Sequence, residues 1–166
     1  VEKRAVEVGN IFTLGTRFSD ALGLTYTNEE GDNKSVFMGS YGIGPGRVMG
    51  TIVETLSDDN GIIWPESIAP FQVHLLALGE DESVKAKATE VYEKLIAQGV
   101  EVLFDDRTGI SAGEKFADAD LLGMPLRAVI SKRSLEESGV EIKKRTEEKG
   151  RVVSVDEFMN LLVANS

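Results

Sequence analysis

The chain has 166 residues and a mass of 18.0 kDa, and its 42% hydrophobic and 28% charged content is a globular balance that excludes wholesale disorder. It has no cysteine and one histidine, His74, which excludes disulfides, thiolate zinc and a His-rich metal site; no apolar run approaches a membrane span. Net charge is −10, which argues against indiscriminate binding to nucleic acid, but Glu80 to Asp120 holds eleven acids and five bases while Arg127 to Arg151 holds eight bases and five acids.

In chain order, Val6 and Val8 flank Glu7 and suggest the edge of a sheet. The polar tip Asn28-Glu29-Glu30-Gly31-Asp32-Asn33 lies between Leu24-Thr25-Tyr26 and Val36-Phe37-Met38, so a hairpin is predicted. A glycine run from Gly39 to Gly46 leads into a helix whose apolar face is Val48, Met49, Ile52, Val53 and Leu56. Pro65 and Pro70 bracket a stretch that cannot be helix interior, and a domain boundary is expected there, with residues 1 to 64 before it and 65 to 166 after it. The first part is too small and too glycine-rich to bury a core alone and reads as the end of a larger domain.

The second part alternates strand and helix. Strands are predicted over Phe71 to Leu78, Val100 to Phe104 and Leu126 to Ile130, with helices over Glu82 to Gln98 and after Ser111. A hairpin follows, Val140 to Lys144 with Arg151 to Val155, then a last helix after Ser154. Ser111 with Glu114 and Ser154 with Glu157 read as capping boxes. The fold class is α/β, with a mixed sheet of about five strands and three helices.

Two features carry chemistry. Glycines before a helix let a ligand approach the backbone, and Arg47 just inside the helix offers a fork for a phosphate; the spacing matches neither the Rossmann nor the P-loop pattern. Arg107, Lys115, Lys132 and Arg133 follow, or lie beside, the C-terminal ends of the parallel strands, the usual ligand face of an open α/β sheet. Phe116 and His74 read as structural residues by their spacing.

The segments Val6 to Phe12, Leu14 to Ser19 and Met38 to Gly44 resemble the last part of the catalytic domain of prolyl-tRNA synthetases, and the glycine run with Arg47 resembles class II motif 3. Trp64-Pro65 through Phe71 resembles the link into the anticodon-binding domain of that family. Asp105-Asp106-Arg107, Gly113 to Phe116, Asp118 to Leu121 and Gly123 to Arg127 resemble the domain's core. The resemblance spans essentially the whole chain. It implies an antiparallel class II catalytic piece over residues 1 to 64 and an anticodon-binding domain over 65 to 166.

It further implies that Arg47 is catalytic and contacts ATP phosphate, that Gly42 and Gly44 leave room for the nucleotide, and that Gly9, Asn10 and Ser40 line the proline pocket. Many family members carry His at the position of Asn10 and Cys at that of Ser40. Arg107, Lys115, Lys132 and Arg133 become candidate anticodon-binding residues; Asp105 and Asp106 either accept from guanine donors, orient these cations or cap the next helix. The implied partners are tRNA(Pro), proline, ATP with magnesium, and a second copy in a full-length homodimer, in the cytoplasm and without a membrane. Nothing resembles motifs 1 and 2. The chain is therefore expected to be a C-terminal fragment, inactive alone as a ligase, with no metal site of its own and no cofactor tightly held. One other reading is a receiver-like signalling domain built on Asp105-Asp106 and Lys132, although its third strand ends without an acid.

Overall fold

The computed structural model describes residue 2 and residues 4–163. The chain forms two compact units, Val1–Thr51 and Ile52–Ser166.

The first unit contains β1 (Gly9–Gly15), α1 (Arg17–Leu22), β2 (Thr25–Thr27), β3 (Asn33–Ser35), β4 (Met38–Ile43) and most of α2 (Pro45–Thr55). β1 and β4 form an antiparallel ribbon in which Asn10 faces Gly42 and Phe12 faces Ser40. Val6 and Val8 precede the ladder rather than forming it; the Val8 carbonyl instead accepts from Gly44 N at 2.8 Å and closes the ribbon's end. The expected hairpin is β2 with β3, its tip held by Asn28 Oδ1, which accepts from Glu30 N and Asp32 N at 3.1 and 2.8 Å. No hydrophobic side chain among the described residues of this unit is buried, and Ile11 and Tyr41 are more than four-fifths exposed. Among its described residues only Ser19 is buried, and its hydroxyl donates to the carbonyls of Thr16 and Val36.

The second unit adds a small hairpin, β5 (Ser57–Asp58) with β6 (Gly61–Ile62), and a 3-10 turn at Glu66–Ile68. The α/β alternation then runs through β7 (Val73–Leu78), α3 (Glu82–Ala97), β8 (Val102–Asp105), α4 (Ala112–Leu122) and β9 (Leu126–Ser131). It ends with α5 (Lys132–Glu136), β10 (Val140–Lys144), β11 (Arg151–Val153) and α6 (Val155–Val163). The five-stranded sheet has the order β11-β10-β9-β7-β8, with β7 parallel to β8 and β9, and β10 antiparallel to both its neighbours.

One face of this sheet carries the main core. Leu75, Val84, Val91, Leu95, Ile130, Val140 and Phe158 are all fully buried there, each contributing about 1.5–3 kcal/mol of burial. The other face holds a smaller cluster of Leu76, Ala119 and Val129 with Phe116 packed against it. Ser111 and Ser154 cap α4 and α6 by accepting from Glu114 N and Glu157 N at 3.2 and 3.1 Å. The Glu157 carboxylate pairs with Arg151 at 3.3 Å. Besides the three expected helices there is α5, one turn longer than a cap, closed by a reciprocal box between Ser131 and Ser134.

Residues 52–64 group with the second unit, so the break between units lies ahead of the expected Trp64. The reason is a set of close contacts with α4 and β10. Trp64 Nε1 donates to the Leu122 carbonyl at 3.0 Å and Trp64 N to the Gly123 carbonyl at 3.2 Å. Arg145, almost fully buried, grips Asp58 with both terminal nitrogens at 2.9 and 2.6 Å and donates from Nε to the Asp120 carbonyl at 3.1 Å. That guanidinium holds the Asp58 carboxyl well below the usual carboxylate range. At the crossing, the backbones approach too closely for a side chain: a Cβ on Gly123 would overlap the Ile62 carbonyl, and one on Gly61 would meet the backbone of Leu121. Gly123 also caps α4 in the left-handed region at φ 72°.

Gly123→Ala is therefore expected to lower stability by at least about 1–3 kcal/mol, the range for forced overpacking. Gly113→Ala, in the first turn of α4 with its nearest neighbour atom 4.0 Å from the new Cβ, should instead stabilise slightly. Urea unfolding of both variants checks this; equal midpoints would remove the close approach as a constraint.

Candidate nucleotide and nucleic-acid sites

In the first unit, the β1–β4 register sets Asn10 against Gly42 and Gly9 against Ile43, and these residues line an open hollow of about 600 Å³ with Ile11 and Tyr41. Ser40 sits one pair further along, opposite Phe12. Asn10 Nδ2 donates to Glu7 Oε1 at 3.2 Å. Arg47 donates to the Glu7 carbonyl at 2.7 Å, and its guanidinium lies 3.7 Å from the Glu7 carboxylate, so Glu7 ties together the two candidate residues. The Arg47 side chain is still more than half exposed. A Cβ at Gly42 would meet nothing within 4 Å, and at Gly44 only Arg47 Cβ and the Val8 carbonyl, so the backbone there is open to a flat ligand. Glu7 was passed over in the sequence because it stood as the polar member of a short alternation.

In the second unit the four candidate cations separate into two pairs. Arg107 reaches Asp105 through Nε at 3.0 Å and Nη2 at 2.8 Å, and the same Nη2 reaches Asp118 at 2.7 Å. Lys115 is 2% exposed; its ammonium donates to the Ala77 carbonyl at 2.8 Å and lies 3.4 Å from Asp105 Oδ1. Arg107 above all, with Lys115 assisting against the cost of burial, pulls the Asp105 carboxyl down to about 2. These two cations are thus held by one acid at the end of β8. Lys132 and Arg133 stand apart on α5, both exposed, with Arg133 paired to Glu137 at 3.3 Å. Among the described residues no three His, Cys, Asp or Glu side chains gather as for a metal ion, and nothing supports a receiver-like centre.

A further pair emerges only in three dimensions. Arg127, half-buried on β9, donates to Asp120 at 3.1 Å and lays its guanidinium 4.5 Å from the centre of the Phe116 ring. Its Nε is sealed from solvent and has no hydrogen-bond partner. Burial presses its pKa down, opposed chiefly by Asp120. Phe116, expected as core, therefore serves both the small cluster and this cation. The spacing of Asp120 and Arg127 across a helix stop gave no periodic signal.

His74 is buried within β7 as expected, but its Nδ1 also lacks a partner. Burial lowers its pKa from 6.5, with the charges of Asp105, Arg107, Arg127 and Asp118 acting in both directions. The folded state holds the imidazole neutral, whereas the unfolded chain takes up a proton near 6.5. This contribution to stability is present above that value and is lost as pH falls below it. The urea midpoint should drop between about pH 7 and pH 5, and His74→Gln should flatten the drop. A midpoint indifferent to pH in that window, or the same slope in the variant, contradicts the assignment.

Two family models match the chain: the anticodon binding domain over residues 72–165, and the tRNA synthetase class II core domain (G, H, P, S and T) over residues 1–56. Proline–tRNA ligase of Dehalococcoides mccartyi is 46% identical over 162 residues, and that of Persephonella marina likewise. Each alignment covers 97% of this chain but 28% of the relative, so the chain spans under a third of the length of these proteins. Among solved structures, prolyl-tRNA synthetase from Cryptosporidium parvum, complexed with L-proline and AMP, superposes with a TM-score of 0.80 at 25% identity, covering 95% of this chain and 34% of that one. The chain belongs to the anticodon binding domain family, joined to class II core sequence as in the proline–tRNA ligases that it resembles.

Proposed function

We propose that the chain is the anticodon-reading and motif 3 portion of a proline–tRNA ligase, the enzyme that joins proline to tRNA(Pro) at the expense of ATP. The observation that carries this reading is the 46% identity to such ligases across 97% of the chain, which takes in both units. In domain terms, residues 1 to 64 close the catalytic domain and residues 65 to 166 form the anticodon-binding domain, with the β5–β6 hairpin fastened to the latter. The full-length protein would act as a homodimer in the cytoplasm. No helix among the described residues is long and apolar enough to cross a membrane.

In the first unit, Arg47 would meet ATP phosphate, with magnesium carried on the nucleotide, and the open backbone at Gly42 and Gly44 suits the approach of its flat base and ribose. Gly9 and Asn10 at the open hollow, with Ser40 beside them, would receive proline. Arg47 would add positive charge at the ATP phosphates while the adenylate forms; nothing in this portion needs to move a proton. By itself the 166-residue chain is expected to give no proline-dependent ATP–pyrophosphate exchange and to retain no nucleotide tightly. Exchange that Arg47→Ala abolishes would overturn that expectation.

In the second unit, Asp120 beside Arg127 presents an acceptor and a forked donor side by side, the pattern that guanine's N1, N2 and O6, N7 groups complement. Arg107 is available through its exposed face, while Lys115, sealed from solvent, positions Asp105. Lys132 and Arg133 suit phosphates. Because the body is acidic, affinity should be modest and should fall with salt.

A titration of the proline-anticodon stem-loop against one with both anticodon guanines replaced by adenine tests this. Arg127→Lys keeps the charge and loses the fork, so it should cost about 1–3 kcal/mol on the guanine loop only. Lys132→Ala and Arg133→Ala should weaken both loops alike. Equal binding of the two loops by the unaltered chain would reject anticodon reading.

A further inference from the structure

The second unit holds a cleft of about 420 Å³ at the end of the sheet where β9 and β11 begin and β10 ends. That volume lies within the roughly 300–1,000 Å³ of small-ligand sites. Leu126 and Ile142 form part of its floor, and Leu161, from the last turns of α6, stands as an apolar wall. Lys143, Lys144 and Arg151 also line it and supply cations. Arg151 is spent on Glu157 at 3.3 Å, but among the described residues neither lysine ammonium has a carboxylate partner. Glu147, also in the lining, accepts from the Lys144 backbone N at 3.3 Å and is, with Glu66, an opposing charge. This is also the stretch in which bases outnumber acids on an otherwise acidic chain.

An apolar slot whose lining includes two lysines without a carboxylate partner among the described residues matches a flat, weakly polar ring joined to an anion. We infer that the cleft binds a nucleotide unit, its base against Leu126, Ile142 and Leu161 and its phosphate at Lys143 and Lys144. Apolar contact with the face of a base accepts any base, so the slot gives affinity more than sequence choice. Lysines meet the phosphate as mobile point charges, which suits a site that holds and releases. The nucleotide could be a residue of the RNA loop or a free nucleoside monophosphate. The RNA source rests on the anticodon reading above; the free-nucleotide source does not.

The test uses the whole chain with its leucine and isoleucine methyl groups labelled for NMR. Guanosine and cytidine monophosphate are titrated in one arm and the proline-anticodon stem-loop in the other. The methyl resonances of Leu126, Ile142 and Leu161 should shift in at least one arm, and the responding arm identifies the source. The paired change Lys143→Ala with Lys144→Ala should weaken that binding by about ten-fold. Leu161→Trp, which fills the slot and keeps its charges, should do the same. Methyl groups that stay still in both arms overturn the inference, even where the stem-loop binds with guanine preference elsewhere. Affinity unchanged in both variants also overturns it. A stem-loop that moves these methyls without preferring guanine would sink the anticodon reading and leave the cleft standing.

Discussion

Arg145 is the side chain on which the second unit most depends. It leaves the end of β10 nearly sealed from water, and every direction of its planar fork is used: two nitrogens on Asp58, one on the Asp120 carbonyl. Its own backbone N donates to the Pro125 carbonyl at 2.9 Å. A buried guanidinium is tolerated only when its donors are matched in this way. The match fixes the β5–β6 hairpin against α4, which allows the glycine-to-backbone crossing at Gly61 and Gly123 and in turn the Trp64 hydrogen bonds. The proposed guanine-reading pair hangs from the same frame, because Asp120 offers its carbonyl to Arg145 and its carboxylate to Arg127.

Charge on this surface divides into cations already spent and cations still available. Arg107 and Lys115 converge on Asp105, and their interaction energy goes into holding the end of β8. Arg127 is held on one side by Asp120 and on another by the Phe116 ring, yet keeps an N–H without a partner. Lys143 and Lys144, without a carboxylate partner among the described residues, line an apolar slot. A count of basic residues treats these groups as equal. Their partners rank them for ligand binding, and the ranking favours β9 and β10 over the end of β8.

Much of the fold was legible from the sequence. The strands β7, β8 and β9 and the helices α3, α4 and α6 follow from continuous apolar runs, serine caps and glycine stops, which are local signals. Their order also carried the mixed sheet. What was not legible depends on contacts distant in sequence. The hairpin at Ser57–Ile62 is two residues a side and has no apolar pattern of its own; Arg145, eighty-seven residues away from Asp58, makes it part of the second unit. Helix α5 is five residues long, too short for a periodic signal. In the candidate sites, the glycine run and Arg47 stood out because composition marks them. Glu7, Asp120 and Arg127 did not, since an isolated charge beside apolar residues looks the same whether it faces solvent or a partner. Lys115 stood among the candidate anticodon-binding cations for the same reason, and its burial between Ala77 and Asp105 is a tertiary fact.

The sheet's two outer strands are its shortest, β11 with three residues and β8 with four. An open strand edge is a template on which another chain can add itself, and a long apolar one invites filaments. Here β8 is flanked by the exposed acids Glu101 and Asp106, in a chain of net charge −10. Two such edges brought together would repel one another before more than a few backbone pairs could form. The exposed acids at the two ends of β8 thus also act as a guard against self-assembly, and their neutralisation would cost the molecule colloidal stability.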